Sequence, residues 1–311
     1  TFEVDEAGNS QEGGDADGAQ FSRQMRGDEE DKQEKKRREE AAQNSFLNSM
    51  QMQSLRESWF ASKDTFSALP AFWLLVFSAV GIAAAVNALV PPFQKLIPPM
   101  HDPSLSYPVG DEQVPEYLVA VLAVLLPTAV IILVSHFQDK SDIGVSLLAL
   151  AQSCGYTMLS TVLLKKVAGR PRPCFYDMCE WVQDSVSGST GTETGHCTGS
   201  RKRVWEARQS FPSGHSSLSF AGLFFLSLFL LDKLAVHLRR GTPALPFPRQ
   251  LQLKALQVTC LVPAGLACWI AETRTQDYWH NYDDIVAGAA VGVGFALWSF
   301  QQREVLQAVV R

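Results

Sequence analysis

The sequence predicts an all-α, polytopic membrane protein with six transmembrane helices and a disordered N-terminal tail. The 311-residue chain contains six uncharged apolar stretches in series, and an acidic, strongly polar segment precedes the first of them. A bilayer core of about 30 Å needs roughly 20 helical residues at ~1.5 Å per residue. These features exclude a single water-soluble globule, and the composition excludes a collagen-like or disulfide-dense fold.

The first 70 residues differ in composition from the rest of the chain. They carry fifteen Asp and Glu against nine Lys and Arg, whereas the remaining 241 residues carry seventeen against eighteen. Because large apolar side chains are scarce there, residues 1–69 are predicted to form an acidic, largely disordered cytoplasmic tail. Residues 31–62 allow a juxtamembrane helix, and a partner-binding role for the tail is left open.

The six apolar segments define a predicted membrane domain at residues 70–302, followed by a short cytoplasmic C-terminus at 303–311. A buried soluble helix would explain any one short segment, but six in series favour a membrane bundle. The last three reach membrane-spanning length only if their polar flanks continue the helix. Gly288 and Gly292 are small residues at four-residue spacing, which suits close helix contact in lipid. The segments are Ala71–Val90, Tyr117–Ser135, Ile143–Leu164, Ser216–Leu231, Ala255–Ala271 and Ile285–Phe300.

The charges between the segments predict the orientation. The connection at 232–254 carries five Lys and Arg and a single Asp, so it is assigned to the cytoplasm together with both termini. The stretches before the second and sixth segments are mainly acidic and are assigned to the lumenal or extracellular side. The loop at 165–211 lies on that side by parity and yet is rich in Lys and Arg. Positive charge kept there predicts an anionic ligand, and the alternative is that a loop of this length is less bound by the charge rule. The choice among endoplasmic reticulum, plasma membrane and vacuole is left open.

Three short segments carry the candidate chemistry, and each lies at a membrane boundary on this same side. The first ends the third apolar segment, the second begins the fourth, and the third leads into the sixth. They are KKVAGRPRP at 165–173, FPSGHSS at 211–217 and TRTQDYWHNYDD at 273–284.

The first and third of these segments supply three cations, and the second supplies a helix start. The guanidiniums of Arg172 and Arg274 can fork onto phosphate oxygens, and Lys165 adds a further positive charge. Ser213 and Gly214 lie where a loop becomes a helix, so their N–H groups and the Ser hydroxyl can bind an anion at the positive end of the helix dipole. Together these residues predict a phosphate-binding site.

Two histidines and one carboxylate complete the predicted site. His280 and Asp284 are four residues apart, so in a helix they share one face, and the carboxylate can orient the imidazole for nucleophilic attack. His215 is the remaining imidazole, and because an imidazole ordinarily has a pKa near neutrality, it is expected to donate a proton to the departing oxygen. The set predicts phosphoryl transfer through a covalent phosphohistidine without a metal ion.

The order and spacing of these residues resemble the three-part signature of the type 2 phosphatidic acid phosphatase (PAP2) superfamily, also called lipid phosphate phosphatases. The surrounding sequences are similar to the eukaryotic branch that acts on phosphatidate, lysophosphatidate and diacylglycerol pyrophosphate. The resemblance covers about residues 70–300 and implies a PAP2-type six-helix bundle. One position departs, because the third motif commonly begins with Ser and here begins with Thr273, which keeps the hydroxyl. The matching residues are Lys165-x6-Arg172-Pro173, Pro212-Ser213-Gly214-His215 and Arg274-x5-His280-x3-Asp284.

The resemblance implies a role for each matching residue. It makes His280 the nucleophile, Asp284 its orienting carboxylate and His215 the general acid. It implies a Mg²⁺-independent hydrolase that vanadate inhibits, with no metal or other cofactor. The residues that would bind the phosphate are Lys165, Arg172, Ser213, Gly214 and Arg274.

The expected partners are the bilayer and a lipid phosphate, whose identity is left open. No nucleic-acid partner is expected, and homo-oligomer formation is left open. The alternatives are a phosphatase for small sugar phosphates or isoprenoid pyrophosphates, a vanadate haloperoxidase relative, and a non-catalytic lipid-binding scaffold. The six spans argue against a haloperoxidase, and the filled motif positions argue against a scaffold.

Residues next to the motifs are expected to have simpler roles. Lys166 and Arg170 are expected to add to the positive electrostatic potential of the site without contacting the phosphate directly. Asp283 is expected to be a surface or capping carboxylate. Trp279 and Tyr282 are expected to anchor the protein at the level of the lipid headgroups.

The cysteines divide between the spans and the loop at 165–211. One disulfide is expected in that loop, with Cys179 and Cys197 the preferred pair because Cys174 directly follows the first motif. The cysteines inside spans are expected to be inert packing residues, namely Cys154, Cys260 and Cys268.

Overall fold

The structure, a computed structural model, describes residues 65–97, 102–184, 195–239 and 247–310. The predicted tail therefore lies outside the described residues as far as position 64. Helix α1 begins at Thr65, slightly before the predicted domain boundary. At the other end of the chain, the last helix continues beyond residue 302 to Val310.

The described residues are almost entirely helical, with one small hairpin. Helices α2 and α6 each contain a single π-helical turn and are otherwise continuous. A short 3₁₀ helix, Pro103–Leu105, lies between α1 and α2. The helices are α1 (Thr65–Leu89), α2 (Glu116–Ala120, Val121–Leu125 and Leu126–Gln138), α3 (Asp142–Ala168), α4 (Phe175–Met178), α5 (Arg201–Ala207), α6 (Gly214–Ser219, Phe220–Phe224 and Phe225–Arg239), α7 (Phe247–Thr259), α8 (Val262–Gln276) and α9 (Tyr282–Val310).

Six helical stretches of this part of the chain are long and apolar enough to cross a membrane, as the sequence predicts. The chain is therefore an integral, multi-pass membrane protein. The fifth stretch is broken between α7 and α8, where Pro263 lies in the first turn of α8 and has no N–H to continue the helical ladder. The stretches are Pro70–Leu89, Glu116–Gln138, Asp142–Ala168, Gly214–Leu238, Leu251–Gln276 and Tyr282–Gln307.

Helix α3 lies inside the bundle and carries its polar residues inward. Leu163 and Val167 are exposed on its outer side, whereas the buried side is rich in hydroxyls. Polar groups inside a membrane bundle are stable when they face the interior and find partners there. Thr161 Oγ1 donates to Ser217 Oγ of α6 at 2.9 Å, and Ser153 Oγ donates to the Ala221 carbonyl at 2.8 Å.

Glycines allow α6 to contact two neighbouring helices closely. A Cβ atom at Gly222 would overlap the Ala123 carbonyl, where the π turns of α2 and α6 meet. A Cβ at Gly288 of α9 would lie 2.6 Å from the Ser213 carbonyl, and one at Gly292 would overlap the Ser217 carbonyl. The predicted close contact through Gly288 and Gly292 is confirmed, and it sets the start of α6 directly against α9.

The chain between α3 and α6 is folded over one end of the bundle, which we call the site end. Strand β1 (Trp181–Gln183) pairs antiparallel with β2 (Gly195–Cys197), with Trp181 opposite Cys197. A disulfide joins Cys197 to Cys179, which is the pair preferred from the sequence. Buried side chains of α4, among them Phe175, pack beneath this hairpin.

A buried ion network holds the helices together at the opposite end. The Arg303 side chain of α9 is fully buried, and its Nη2 atom lies 2.9 Å from Asp142 Oδ2 at the start of α3. Arg303 Nη1 lies 3.0 Å from Asp232 Oδ2, and Lys233 is ion-paired with Asp142. Arg303 Nε also donates to Ser146 Oγ at 2.8 Å, so three helices share one set of paired charges.

Candidate active site

The three sequence motifs meet at the site end around a cavity of about 330 Å³. They arrive from the end of α3, the chain that follows it, the start of α6 and the turn between α8 and α9. Six of the eight predicted site residues line the cavity, whereas Ser213 and Asp284 are fully buried behind it. The six are Lys165, Arg172, Gly214, His215, Arg274 and His280.

The end of α3 directs the first motif toward the cavity. Gly169 ends the helix with φ 52°, in the left-handed region that glycine adopts without steric cost. A Cβ atom there would overlap the Phe93 carbonyl, so no other residue fits. After this turn, the Arg172 N–H donates to the Ala207 carbonyl at 2.9 Å, which holds the chain against α5. Lys165, one turn earlier, donates from Nζ to the Gln209 carbonyl at 2.7 Å.

The second motif forms the start of α6. Ser213 is the N-cap, and its Oγ accepts from the Ser216 N–H at 3.4 Å. Its own N–H donates to the Asp284 carbonyl at 3.0 Å. Ser213 thus fixes the helix start and does not line the cavity, whereas Gly214 does. The first N–H groups of a helix have no intrahelical partner and carry partial positive charge, so this end of α6 favours an anion.

The spacing between Arg274 and His280 follows from the way α8 ends. The N–H groups of Trp279 and His280 both donate to the Arg274 carbonyl at 3.1 Å. Tyr278 closes this turn in the left-handed region, with φ 57°, and its ring stacks on Tyr107 at 4.5 Å. A helix ending of this kind satisfies a terminal carbonyl and brings His280 back beside the last turn of α8.

His280 and Asp284 lie close together, but the prediction that both lie on one face of a helix is wrong. Helix α9 begins at Tyr282, so His280 precedes it. The Asp284 carboxylate instead accepts from the Asn281 N–H at 2.9 Å, in the manner of a capping box. This turn places His280 Nδ1 3.7 Å from Asp284 Oδ2, beyond hydrogen-bond distance, and Nδ1 is buried without a hydrogen-bond partner. A catalytic contact of this length in an unliganded site is short enough to close when substrate binds.

Asp284 is held by three donors from different parts of the chain. Besides the Asn281 N–H, Ser210 Oγ donates to Oδ2 at 2.6 Å and Arg170 Nη1 donates to Oδ1 at 2.8 Å. The expectation that Arg170 adds only long-range field is therefore wrong, because it contacts Asp284 directly. Asp283 has the predicted surface position, with 62% of its side chain exposed, and pairs with the same guanidinium.

The surroundings of the His280 imidazole favour its neutral form. Burial removes water from the ring and lowers its pKa well below the usual histidine value, and the positive charge of Arg172 acts in the same direction. Nε2 lies 3.4 Å from Arg172 Nη1 and faces the cavity lining. A neutral imidazole with its second nitrogen beside a guanidinium is suited to attack an anion that the guanidinium binds.

His215 is oriented by a backbone carbonyl. Its Nε2 lies 2.9 Å from the Val114 carbonyl oxygen, and because that oxygen can only accept, Nε2 carries a proton. The same nitrogen is 3.4 Å from Arg274 Nη1 and 3.7 Å from Glu112 Oε2. His215 therefore holds a proton on the cavity side, next to one cation and one carboxylate.

Each arginine of the site is anchored by an acidic residue. Arg172 Nε donates to the Glu206 carbonyl at 2.9 Å, Nη2 pairs with the Glu206 carboxylate, and the guanidinium lies 4.8 Å from the Trp279 ring centroid. Arg274 Nη2 donates to Asp277 Oδ2 at 2.6 Å. In both arginines the Nη1 atom lies next to the Nε2 atom of a histidine. Arg172 Nη1 is next to His280 Nε2, and Arg274 Nη1 is next to His215 Nε2.

Thr273, the residue that departs from the common motif, supports Arg274. Its Oγ1 donates to the Ile270 carbonyl at 2.8 Å and accepts from Arg274 Nε at 3.2 Å. The retained hydroxyl therefore has a structural role in fixing the guanidinium.

Three glutamates also line the cavity, and the sequence did not single them out. Burial alone would raise the pKa of the Glu206 carboxyl, but the charges of Arg172 and Lys165 outweigh it and hold that pKa below its usual value. For Glu112 burial is the stronger effect, and its pKa is raised. Glu116 lies at the exposed edge. The three glutamates balance the formal charge of Lys165, Arg172 and Arg274.

No group of three or more His, Cys, Asp or Glu side chains in the described ranges is arranged to hold a metal ion. Besides the three glutamates, the cavity is lined by three cations, two imidazoles and a helix start, and these groups together fit a phosphate.

Comparison with known proteins identifies relatives with a common family description. The PAP2 superfamily profile matches residues 146–307. The chain is 32% identical to probable lipid phosphate phosphatase 4 of Arabidopsis thaliana, over 73% of this chain and 70% of the relative. It is 33% identical to lipid phosphate phosphatase 2 of the same plant, over 74% and 75%. It is 31% identical to probable diacylglycerol pyrophosphate phosphatase 1 of Schizosaccharomyces pombe, over 74% and 82%. No solved structure gives a significant match.

Proposed function

The chain belongs to the PAP2 superfamily and is a membrane phosphatase, and from this premise we propose that it dephosphorylates phosphatidate and related lipid phosphates through a phosphohistidine, without Mg²⁺. The observation that carries the proposal is the pairing in the cavity. His280 Nε2 and His215 Nε2 each lie 3.4 Å from the Nη1 atom of a buried arginine, His280 beside Arg172 and His215 beside Arg274. A phosphoryl group bound by Arg172 and Arg274 would have one imidazole on each side.

The first step is binding of the phosphate. Lys165, Arg172 and Arg274 neutralise its charge, and the N-terminal N–H groups of α6 at Gly214 donate to a phosphate oxygen at the positive end of the helix. Because Glu206 and Asp277 hold the two guanidiniums in place, little ordering of side chains remains to be done when the ligand arrives.

The second step transfers the phosphoryl group. The lone pair of His280 Nε2 attacks phosphorus and the bond from phosphorus to the leaving oxygen breaks. His215 acts here as an imidazolium, with a proton on each nitrogen, and gives its Nε2 proton to that oxygen to become a neutral imidazole. The His280 ring gains positive charge as it becomes phosphorylated. Asp284, the nearest carboxylate to Nδ1, stabilises that charge and accepts the Nδ1–H.

The third step releases inorganic phosphate. His215, now without its extra proton, accepts a proton from a water molecule as the water oxygen attacks phosphorus. The bond between phosphorus and His280 Nε2 breaks, and the electron pair returns to the imidazole. The site is then restored, with His215 protonated on Nε2 and His280 neutral.

The shape of the cavity supports a lipid substrate. Beside the charged residues its lining includes apolar side chains from α2, α3 and α6, and Met158 among them is 41% exposed. An acyl chain could therefore extend from the cavity toward the bilayer. The uneven loop charges support an active site on the lumenal or extracellular side, with both termini in the cytoplasm.

The test is phosphate release from detergent-solubilised protein with EDTA present. Phosphatidate, lysophosphatidate and diacylglycerol pyrophosphate should be hydrolysed, and vanadate should inhibit. His280→Ala and His215→Ala should each lower kcat by about a thousandfold or more while the protein keeps its thermal stability. Activity that depends completely on Mg²⁺, or near-normal activity in either variant, would refute the mechanism.

The same experiment separates the alternatives. A phosphatase for small sugar phosphates would hydrolyse glucose 6-phosphate at least as well as micellar phosphatidate, and an isoprenoid-pyrophosphate phosphatase would favour an isoprenoid pyrophosphate. A lipid-binding scaffold would bind phosphatidate vesicles and release no phosphate from any substrate.

A further inference from the structure

Glu112 occupies a different place in the cavity from the other acidic residues around the arginines. Glu206 and Asp277 bind the Nη2 atoms of Arg172 and Arg274 and leave the Nη1 atoms toward the histidines. Glu112 Oε2 lies on the Nη1 side of Arg274, at 3.4 Å. The Glu112 carboxylate therefore lies inside the binding cavity, whereas Glu206 and Asp277 hold the two arginines in position.

The backbone on the C-terminal side of Glu112 is anchored. The Gln113 N–H donates to Asp277 Oδ2 at 3.0 Å, and Gln113 Nε2 donates to Asp277 Oδ1 at 2.8 Å. Val114 is fully buried and its carbonyl accepts from His215 Nε2. Because its neighbours are fixed to α8 and α6, Glu112 cannot leave the cavity by a simple loop movement when substrate enters.

Glu112 lies on the side from which the leaving group departs. In the proposed reaction His215 protonates the leaving oxygen, so the group attached to that oxygen passes close to His215. Glu112 Oε2 is 3.7 Å from His215 Nε2, and 22% of the Glu112 side chain is exposed. The carboxylate therefore faces the leaving group, whereas Arg172 and His280 face the phosphoryl group that is transferred.

The chemistry of the leaving group decides whether this carboxylate helps or hinders. A phosphomonoester leaves as an alcohol, which is neutral, and any neighbouring hydroxyl can donate to Glu112. A lipid diphosphate transfers its terminal phosphoryl group to His280, the bond to the bridging oxygen breaks, and the leaving group is a second, negatively charged phosphate. Like charges in a cavity partly shielded from water repel strongly.

We propose that Glu112 is a specificity-determining residue that favours lipid phosphomonoesters over lipid diphosphates. This inference rests on the proposed function, because that function assigns the leaving group to the His215 side. The discrimination comes from a fixed repulsive charge and needs no contact with the acyl chains.

The experiment compares two substrates in the same detergent micelles, with EDTA present. The measured quantity is kcat/KM for diacylglycerol pyrophosphate divided by kcat/KM for phosphatidate. Glu112→Gln should raise this ratio about tenfold, because the side chain keeps its size and loses its charge. Glu112→Asp, which keeps the charge, and Asp111→Asn, which removes a charge at the preceding exposed position outside the cavity lining, should leave the ratio within about twofold of the wild-type value.

The outcomes distinguish failure of the inference from failure of the proposed function. If the wild-type protein hydrolyses both lipids and Glu112→Gln leaves the ratio unchanged or shifts it toward phosphatidate, the role of Glu112 is refuted and the function stands. If the wild-type protein hydrolyses neither lipid, the function itself fails.

A binding measurement covers the case in which Glu112→Gln is inactive toward both lipids. Calorimetric titration of the folded variant with inorganic phosphate and inorganic pyrophosphate should show a larger gain in affinity for pyrophosphate than for phosphate. Equal changes for the two anions would overturn the inference.

Discussion

Ser210 Oγ donates a hydrogen bond of 2.6 Å to Asp284 Oδ2, across 74 positions of the chain. Both residues are fully buried, and Asp284 is the carboxylate nearest to His280 Nδ1. The bond therefore connects the chain that enters α6, which carries the proposed general acid, to the carboxylate behind the proposed nucleophile. Residues that orient a catalytic group in this way commonly matter nearly as much as the group itself.

Ser210→Ala should lower kcat about tenfold and change KM by less than about twofold, because Asp284 loses one of its donors while the phosphate-binding residues stay in place. Steady-state kinetics with micellar phosphatidate would measure both constants. Ser78→Ala is a matched control, since Ser78 is exposed on α1 and donates only to the Leu74 carbonyl. A change confined to KM would contradict an orienting role.

Arg170→Gln should also lower kcat about tenfold, because Asp284 Oδ1 loses its ion pair. Asp283→Asn removes the other, exposed partner of the same guanidinium and should change kcat by less than about twofold. If Arg170 acts through Asp284, the double variant Arg170→Gln/Asp284→Asn should be no slower than Asp284→Asn alone. Additive losses in kcat would show that Arg170 acts independently.

Trp279→Ala should raise KM for phosphatidate about fivefold with a smaller effect on kcat, because Arg172 loses the ring on which its guanidinium stacks at 4.8 Å. Its indole N–H also approaches the Gly110 carbonyl at 3.4 Å, beside the segment that carries Glu112. Tyr282→Ala is the control, since 67% of Tyr282 is exposed. Equal effects of the two substitutions would instead favour a shared role as headgroup-level anchors.

His280 should make the protein less stable in mild acid. Burial lowers the pKa of its imidazole, so below about pH 6.5 the unfolded chain binds a proton that the folded protein does not. The free energy of unfolding should then fall as the pH drops, by at most ~1.4 kcal/mol per pH unit from this residue. Thermal unfolding in detergent between pH 7 and pH 5 should show a smaller decrease in Tm for His280→Asn than for the wild type.

The control for this measurement is His196→Asn, since 61% of the His196 side chain is exposed in the hairpin. It should leave the dependence of Tm on pH close to that of the wild type. Parallel curves for His280→Asn and the wild type would show that burial does not keep His280 neutral.

Arg303→Met should destabilise the protein by roughly 3–5 kcal/mol, because Asp142 and Asp232 lose a common partner and Asp142 is buried. Thermal unfolding in detergent would measure the loss, and phosphatase activity well below Tm should be retained, since the network lies at the end opposite the cavity. Glu304→Gln, at the adjacent exposed position, should change stability by less than ~0.5 kcal/mol. A stable Arg303→Met variant would show that the network is dispensable.

Features that depend on local sequence could be predicted. Uncharged runs of sufficient length indicated the six spans, because the bilayer imposes both length and polarity. The spacing of Gly288 and Gly292 indicated a close helix contact, since small residues on one face allow backbones to approach. The motif residues come together because each motif lies next to the end of a span.

Contacts between distant parts of the chain could not be predicted in this way. Arg170 reaches Asp284 across 114 positions, and Glu112 reaches Arg274 across 162. No periodic pattern relates such pairs, so Arg170 seemed to be one more positive charge and Glu112 one more acidic loop residue. The spacing of His280 and Asp284 was misleading for another reason. It suits one helical turn, but the helix begins only after Asn281.

The length of α3 has a consequence for where the reaction takes place. The helix runs for 27 residues from Asp142 to Ala168, or about 40 Å, whereas the hydrocarbon core is about 30 Å thick. We therefore expect Asp142 near one end and Lys165 near the other to lie close to the two surfaces of the bilayer, with the cavity at the depth of the lipid headgroups. A lipid phosphate can reach it by lateral diffusion within its leaflet, so turnover should follow the mole fraction of substrate in the membrane and not its bulk concentration.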